Sequence, residues 1–310
     1  MAVTELETVV AATASDPRRV RSKDVWIARW LLLPAVLFLI LLTQIPFLVT
    51  VGYSTIRWNL LYPADRGFTG FKNYLSALSS GDLWPSVVAT VVITTLAVVL
   101  SLLLGLLFAL LLDRNFRGRA VARTLMITPF LIMPAASALI WKYSMFDTNI
   151  GMLNWLSRAL HLPVVSWSTE HPLMAVVIVL TWQFTPFMML ILLAGLQGQD
   201  RGVLEAAQVD GASSWRTFTW ITLPHLRVYV EIGVLLGAVI IIQVFDPIAI
   251  LTKGTGGTKT LAYLLYERAF IGLDVGQAAA YGVITVVLTI IVATIALRTL
   301  FKVFMAGGSR

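Results

Sequence analysis

A chain of 310 residues that is 58% hydrophobic and only 13% charged lies far below the roughly 25% charged residues of soluble domains, which excludes a soluble globular protein. With no cysteine, disulfides, thiol catalysis and thiolate metal sites are excluded as well. The net charge of +7 fits a bias of basic loops toward one membrane face and attraction to anionic headgroups, without nucleic acid.

Residues 1–25 mix small, acidic and basic side chains without periodicity and read as a mobile tail. Apolar runs of about twenty residues, the length an α-helix needs to cross the hydrocarbon, follow at 30–53, 87–112, 125–143, 173–196, 228–250 and 278–301. They predict an all-α membrane domain of six transmembrane helices over 26–304, with a short tail at 305–310. The first run is too long for a secretory signal and lacks a small-residue cleavage site.

After the first run, FTGFKNY at 68–74 offers Gly70 for a turn, with Phe71 and Tyr74 spaced to pack an interfacial helix onto the first two spans. After the third, 151–162 predicts an amphipathic helix at the outer interface. Leu153, Leu156 and Leu160 share one face, Trp155 lies toward its border, and Asn154, Arg158 and His161 gather opposite. This helix reads either as a lid over the core or as part of a surface that receives a binding protein.

Polar residues inside spans are costly in lipid and face the bundle or a water-filled path. The fourth span carries Gln183 and Thr185 beside Trp182 and Pro186, and the fifth carries Gln243 and Asp246 beside Phe245. Amide and carboxylate acceptors beside aromatic faces suit a neutral, hydroxyl-rich solute. Gln183 and Gln243 are therefore the leading substrate contacts, Trp182 and Phe245 stacking surfaces, and Asp246 a residue of the path or its outer mouth. Hydrogen bonding between helices is the competing role. Glu231, four residues after Arg227, reads as a structural ion pair on one helix face.

Between these two spans, residues 205–224 read EAAQVDGASSWRTFTWITLP, which fits E-A-A-x-x-x-G followed after nine residues by I-x-L-P. Glu205, Ala206 and Ala207 open a helix-forming run that ends at Asp210, and Gly211 supplies the positive φ of a turn. Residues from Ala212 to 220 form a second short helix, which Leu223 and Pro224 end before the next span. Two small helices about a glycine make a compact knob for a cleft. With the N-terminus inside, fifteen of the 23 Lys and Arg residues fall on the cytoplasmic side, which puts both termini and this hairpin there. Further on, GTGGTKT at 254–260 misses the P-loop spacing, because Thr258 precedes Lys259 where glycine belongs and Lys253 stands where the first glycine should be. No nucleotide site is expected in this chain.

The hairpin resembles the EAA loop of bacterial ABC importer permeases, the cytoplasmic element that docks on an ATPase subunit. The likeness extends over nearly the whole chain through LLLPAVLFL at 31–39, FTGFKNY, WQFTPFMMLILLAGLQ at 182–197 and LTKGTGGTKTLAYLLYERAF at 251–270. The chain is similar to carbohydrate-uptake permeases of the maltose and glycerol-3-phosphate type. Within them it is most similar to polyol permeases, through NLLYP at 59–63 and PFLIMPAASALIWK at 129–142. The patch after Leu251 departs from the usual T-x-G-G-P, since Thr255 follows Gly254.

The resemblance implies a type I importer permease fold with a coupling loop at 200–226. It also implies a second permease subunit in a heterodimer, two ATPase subunits that bind ATP and Mg, and an extracytoplasmic substrate-binding protein. The setting is the bacterial plasma membrane and its lipid. Glu205 would make a polar or ionic contact with the ATPase, Gly211 the turn, and Ala206, Ala207 and Ala212 the close approach. No residue is assigned to catalysis or to a metal. A permease for amino acids or phosphate is the nearest rival reading. A secondary transporter would show more internal acids or repeated broken helices, and a membrane enzyme would need a nucleophile, base or metal cluster.

Overall fold

The computed structural model describes residues 22–307. Residues 1–21 of the tail expected over 1–25 therefore lie outside the description, as do 308–310 of the tail expected over 305–310. Helix α1 (Ser22–Ser54) carries the first of two compact units, which ends at Gly52, and the second unit starts at Tyr53. Pro34 and Pro46 lie inside α1, where each removes one backbone donor. The Thr50 hydroxyl donates to the Pro46 carbonyl at 2.9 Å, one of the local bonds that keep such a helix satisfied in lipid.

The second unit begins with a pair of two-residue antiparallel strands, β1 (Ile56–Arg57) and β2 (Gly67–Phe68), a small departure from the all-α expectation. Helix α2 (Lys72–Ser79) follows. It is held by Asn73, not by Phe71, which is 76% exposed. The Asn73 amide donates to the Ser54 and Ile56 carbonyls, both at 2.9 Å. The Tyr74 hydroxyl lies 2.5 Å from that of Ser54, and α2 packs against the last helix of the chain.

Helix α3 (Leu83–Asp113) turns Ala97, Ser101, Gly105 and Ala109 inward. Small residues three and four apart let two backbones approach closely in a membrane. A Cβ on Gly105 would sit 2.7 Å from that of Met188, so α3 lies directly on α8 (Pro172–Gln197). Helix α8 is the axis of the unit: Val176, Val179, Leu180, Met188, Met189 and Leu192 are almost wholly buried.

The third predicted span is not one helix. It divides into α4 (Arg119–Leu131) and α5 (Pro134–Ile140), which runs on through a π-helical turn, Trp141–Met145, and the two limbs are bent by 102°. Pro134 causes the break. A residue before proline is pushed out of the α region, and both Ile132 (ψ 134°) and Met133 (ψ 136°) are extended.

Outside the bundle lie α6 (Met152–Ala159) and α7 (Trp167–Glu170). The expected face of α6 is kept only in part: Leu153 is half-buried and Arg158 and His161 exposed, but Asn154 is fully buried while Leu156 and Leu160 are exposed. Its amide donates to the Asp147 and Val165 carbonyls and its oxygen accepts from the Val165 N–H. One side chain thus closes the whole loop; Leu156 and Leu160 are left facing outward, while Leu153 packs against the core.

The hairpin helices α9 (Arg201–Val209) and α10 (Ser214–Thr217) lead through a second π-helical turn, Phe218–Thr222, into α11 (Leu223–Ile241). Gly233 of α11 packs on the Met188 sulfur of α8. The fifth predicted span is also broken, because α11 ends at Ile241 and a new helix, α12 (Asp246–Leu251), starts before Pro247. Helix α13 (Leu261–Tyr266), a third π-helical turn and α14 (Val275–Gly307) complete the chain. Among the described residues five helices are long and apolar enough to cross a membrane, and the bent α4–α5 pair makes a sixth crossing if it counts as one span.

Candidate functional site

The hairpin is closed by backbone bonds that the sequence encodes in one glycine. At the end of α9 the Gly211 N–H donates to the Gln208 carbonyl at 3.0 Å and the Ala212 N–H to the Ala207 carbonyl at 2.9 Å. These are the two bonds of a Schellman motif, which needs its penultimate residue in the left-handed region. Gly211 has φ +77°. Asp200 caps the start of α9, its carboxylate accepting from the Gly202 N–H at 2.8 Å, and Ser213 caps α10 by accepting from the Arg216 N–H.

Leu223 and Pro224 do not end the second helix as the sequence suggested. They begin α11, which continues from α10 because the π-helical turn widens the backbone just before the proline. There the Leu223 N–H reaches five residues back to the Phe218 carbonyl, so the ring of Pro224 enters without the clash it causes in a tight α-turn. The resulting knob is apolar where it is most exposed: Val209, Trp215 and Trp220 are 88%, 73% and 77% accessible. Glu205, Ala206 and Asp210 are exposed beside them, and Ala207 and Ala212 half-buried. Exposed apolar residues in such number mark an interaction surface.

The residues predicted for a substrate path separate into two groups. Gln183 is 3% exposed, and its amide donates to the Ile132 carbonyl at 3.0 Å. It therefore caps the break between α4 and α5, and its own oxygen lacks a partner. Thr185 is buried and bonds back to the Thr181 carbonyl. Trp182 is half-buried, edge-on to Trp141 at 5.7 Å, and lines a groove of about 790 Å³ between α3, α4 and α8. Apart from Thr181 and Thr185 that lining is apolar, so the groove does not offer what a hydroxyl-rich solute needs.

Gln243, by contrast, is exposed in the turn that separates α11 from α12, its amide donating to the Val239 carbonyl of its own helix. Next to it, Phe245 lies 4.8 Å from the Tyr266 ring, and Tyr266 stacks on Phe270 at 5.4 Å. Asp246 is half-buried in the first turn of α12. Gln243, Phe245 and Asp246 thus form one surface at a helix break, and the structure adds Tyr266 and Phe270 to it. The expected Arg227–Glu231 pair is present at 3.3 Å.

Two further polar features escaped sequence reasoning. Lys142 reaches from the turn after α5 to the Ile250 carbonyl of α12 at 2.7 Å, joining the second limbs of the two broken spans. At the other end of α3, Lys259 bonds Glu267 at 2.8 Å, and Arg268 bonds Asp82 at 2.7 Å. The Glu267 hydrogen bond holds the Lys259 ammonium above its usual range. Spacing of more than 180 residues between Asp82 and Arg268 left no local signal for that cluster. Thr252, Thr258 and Thr260 are buried in the same loop, which makes GTGGTKT a packed turn.

Apolar helices of membrane-crossing length, two interrupted spans and a capped, apolar knob between the fourth and fifth spans are the features of a membrane transport subunit. The chain belongs to the family of binding-protein-dependent transport system inner membrane components, whose model matches residues 101–305. It is 36% identical over 289 residues to a probable ABC transporter permease of Sinorhizobium fredii, covering 92% of each chain. It is 31% identical over 264 residues to the trehalose/maltose transport system permease MalF of Thermococcus litoralis, covering 84% of this chain and 88% of that one. Among solved structures, a bacterial alginate ABC transporter in complex with alginate pentasaccharide-bound periplasmic protein has a chain that superposes with a TM-score of 0.75. The match is 20% identical and covers 90% of this chain and 96% of that one. The protein is accordingly a multi-pass inner-membrane permease subunit of an ABC importer, working with an ATPase and a substrate-binding protein.

Proposed function

We propose that this chain forms half of the path by which a neutral carbohydrate or polyol enters the cell. Its hairpin, α9 to α10, takes the thrust of a separate ATPase in the cytoplasm, where both termini also lie. The observation that carries this is the Schellman-closed knob with Val209, Trp215 and Trp220 exposed. The carbohydrate assignment is supported by the trehalose/maltose relative and by Gln243, Phe245, Tyr266 and Phe270 at the break of the fifth span. Aromatic faces carry the C–H side of a sugar and the amide its hydroxyls. ATP and Mg belong to the two ATPase subunits, a second permease completes a heterodimer, and this chain supplies no catalytic group.

The mechanism follows from rigidity. ATP-driven closure of the ATPases moves the two knobs as rigid bodies, and the helices joined to them swing between inward- and outward-facing arrangements. Because α10 runs without a break into α11, displacement of the knob passes directly to the helix that ends beside Gln243. Glu205 supplies a polar contact to the ATPase and Ala206, Ala207 and Ala212 permit its close approach. The test is purification with both ATPases, the second permease and the binding protein, followed by a screen of solutes for stimulated ATP hydrolysis. Stimulation by an amino acid or phosphate, with none by any sugar or polyol, overturns the carbohydrate assignment.

A further inference from the structure

A cleft of about 500 Å³ lies between the hairpin and the ends of α3 and α8, within the roughly 300–1,000 Å³ of small-molecule sites. One wall carries Asp113, Arg114 and Gln199 from the bundle, and the other Gln208, Thr217 and Phe218 from the hairpin and its π-helical turn. Amides, a carboxylate and the hydroxyls of Ser214, Thr217 and Thr222 suit a carbohydrate's hydroxyl groups, while Phe218 and the leucines of the lining suit its C–H faces. Asp113 and Arg114 offset each other in charge, which favours a neutral ligand. Two groups have unused capacity. The Gln199 amide nitrogen is buried without an acceptor, a state rare enough in native structures to need a reason, and the ion contact of Asp113 to Arg119 is long, at 4.0 Å.

We propose that this cleft is a second carbohydrate site, where imported sugar that has accumulated in the cytoplasm binds and slows the transporter. The inference rests on the reading of the chain as a carbohydrate permease whose hairpin is cytoplasmic. A sugar in the cleft bridges the knob and the bundle, so it binds best when the two walls keep their present separation. A ligand with that preference shifts the equilibrium toward the arrangement it fits and opposes the swing of the knob.

Initial uptake of labelled trehalose is measured in vesicles holding the complete transporter and ATP, with binding protein outside and unlabelled trehalose preloaded inside. Preloading slows wild-type uptake several-fold. In Gln199→Leu and Asp113→Asn the internal concentration needed for the same inhibition rises about five- to tenfold, the loss of one hydrogen bond, while uptake into empty vesicles is unchanged. Gln199→Leu exchanges an unpartnered buried amide for an apolar group of similar size, which keeps the fold. Wild-type uptake indifferent to preloading overturns the proposal. So does inhibition of equal strength in both variants, since that places the inner sugar in the transport path itself. Absent uptake into empty vesicles refutes trehalose as a substrate instead. Equilibrium dialysis of trehalose against the purified complex without binding protein then decides the cleft, binding weakened in both variants supporting it and binding unchanged in them refuting it.

Discussion

Gly211→Val perturbs the knob through its backbone alone. A Cβ at Gly211 would meet no atom within 4 Å, so space does not oppose substitution and only the φ of +77° does. Holding an L-residue in that region costs roughly 1–2 kcal/mol, with β-branched valine at the upper end. A loss of about 2 kcal/mol lowers the closed hairpin against its open forms by a factor of about thirty. The bonds from Gly211 and Ala212 to α9 open with it, and the knob loses its shape while the spans stay in the membrane. We expect the ATPase to co-purify poorly and substrate-stimulated hydrolysis to fall at least tenfold. Gly211→Asn, which tolerates the left-handed region, should retain most of both. Wild-type co-purification with normal stimulated hydrolysis in Gly211→Val would refute the reasoning, as would equal losses in the two variants.

A cysteine at the exposed Thr255 should react with an impermeant thiol reagent in intact cells and one at Ser214 should not; the opposite pattern would reverse the orientation and with it the docking site. Gln183→Leu strips the Ile132 carbonyl of its donor, a cost of roughly 1–3 kcal/mol for a buried acceptor, and should lower the melting temperature and assembly yield. Gln243→Leu should leave assembly and basal ATP hydrolysis intact and reduce uptake about tenfold; normal uptake removes Gln243 from the path. Lys259 has its pKa raised above the ordinary 10.5 by the Glu267 hydrogen bond, so its stabilising effect is complete below pH 10.5 and lost as pH rises through the raised value. The melting-temperature gap between wild type and Lys259→Met should therefore close in strongly alkaline buffer, and a gap that widens there contradicts the pairing.

What the sequence made legible follows from the range of the signals. Gly211 was readable because its demand is local: one backbone angle and one permissive residue. The spans were readable because twenty apolar residues in lipid have few alternatives. The break at Ile132 was signalled by Pro134 but was hidden under the apolar run, since composition reports depth and says nothing of direction. The place of Asn154 on α6 was misread because amphipathicity assumes that an amide seeks water, whereas Asn154 finds four backbone partners within its own loop. Gln183 carried the right property, a polar group that must be satisfied, and its partner was a carbonyl fifty-one residues away.

The two breaks support the proposed place of the path. Interrupted backbone at membrane depth is tolerated only where protein or a water-lined cavity receives it, so neither break can face lipid. At the first, Gln183 of α8 serves the Ile132 carbonyl, between Leu131 and Met133, whose side chains are exposed. At the second, Gln243 bonds its own helix and stays exposed, with Phe245 and Asp246 accessible beside it. The first break is thus bonded to a neighbouring helix and the second to its own. Lys142, beyond the first break, bonds the Ile250 carbonyl beyond the second, so the two interrupted spans are joined. In the proposed cycle, movement of α11 driven from the knob acts on the surface around Gln243.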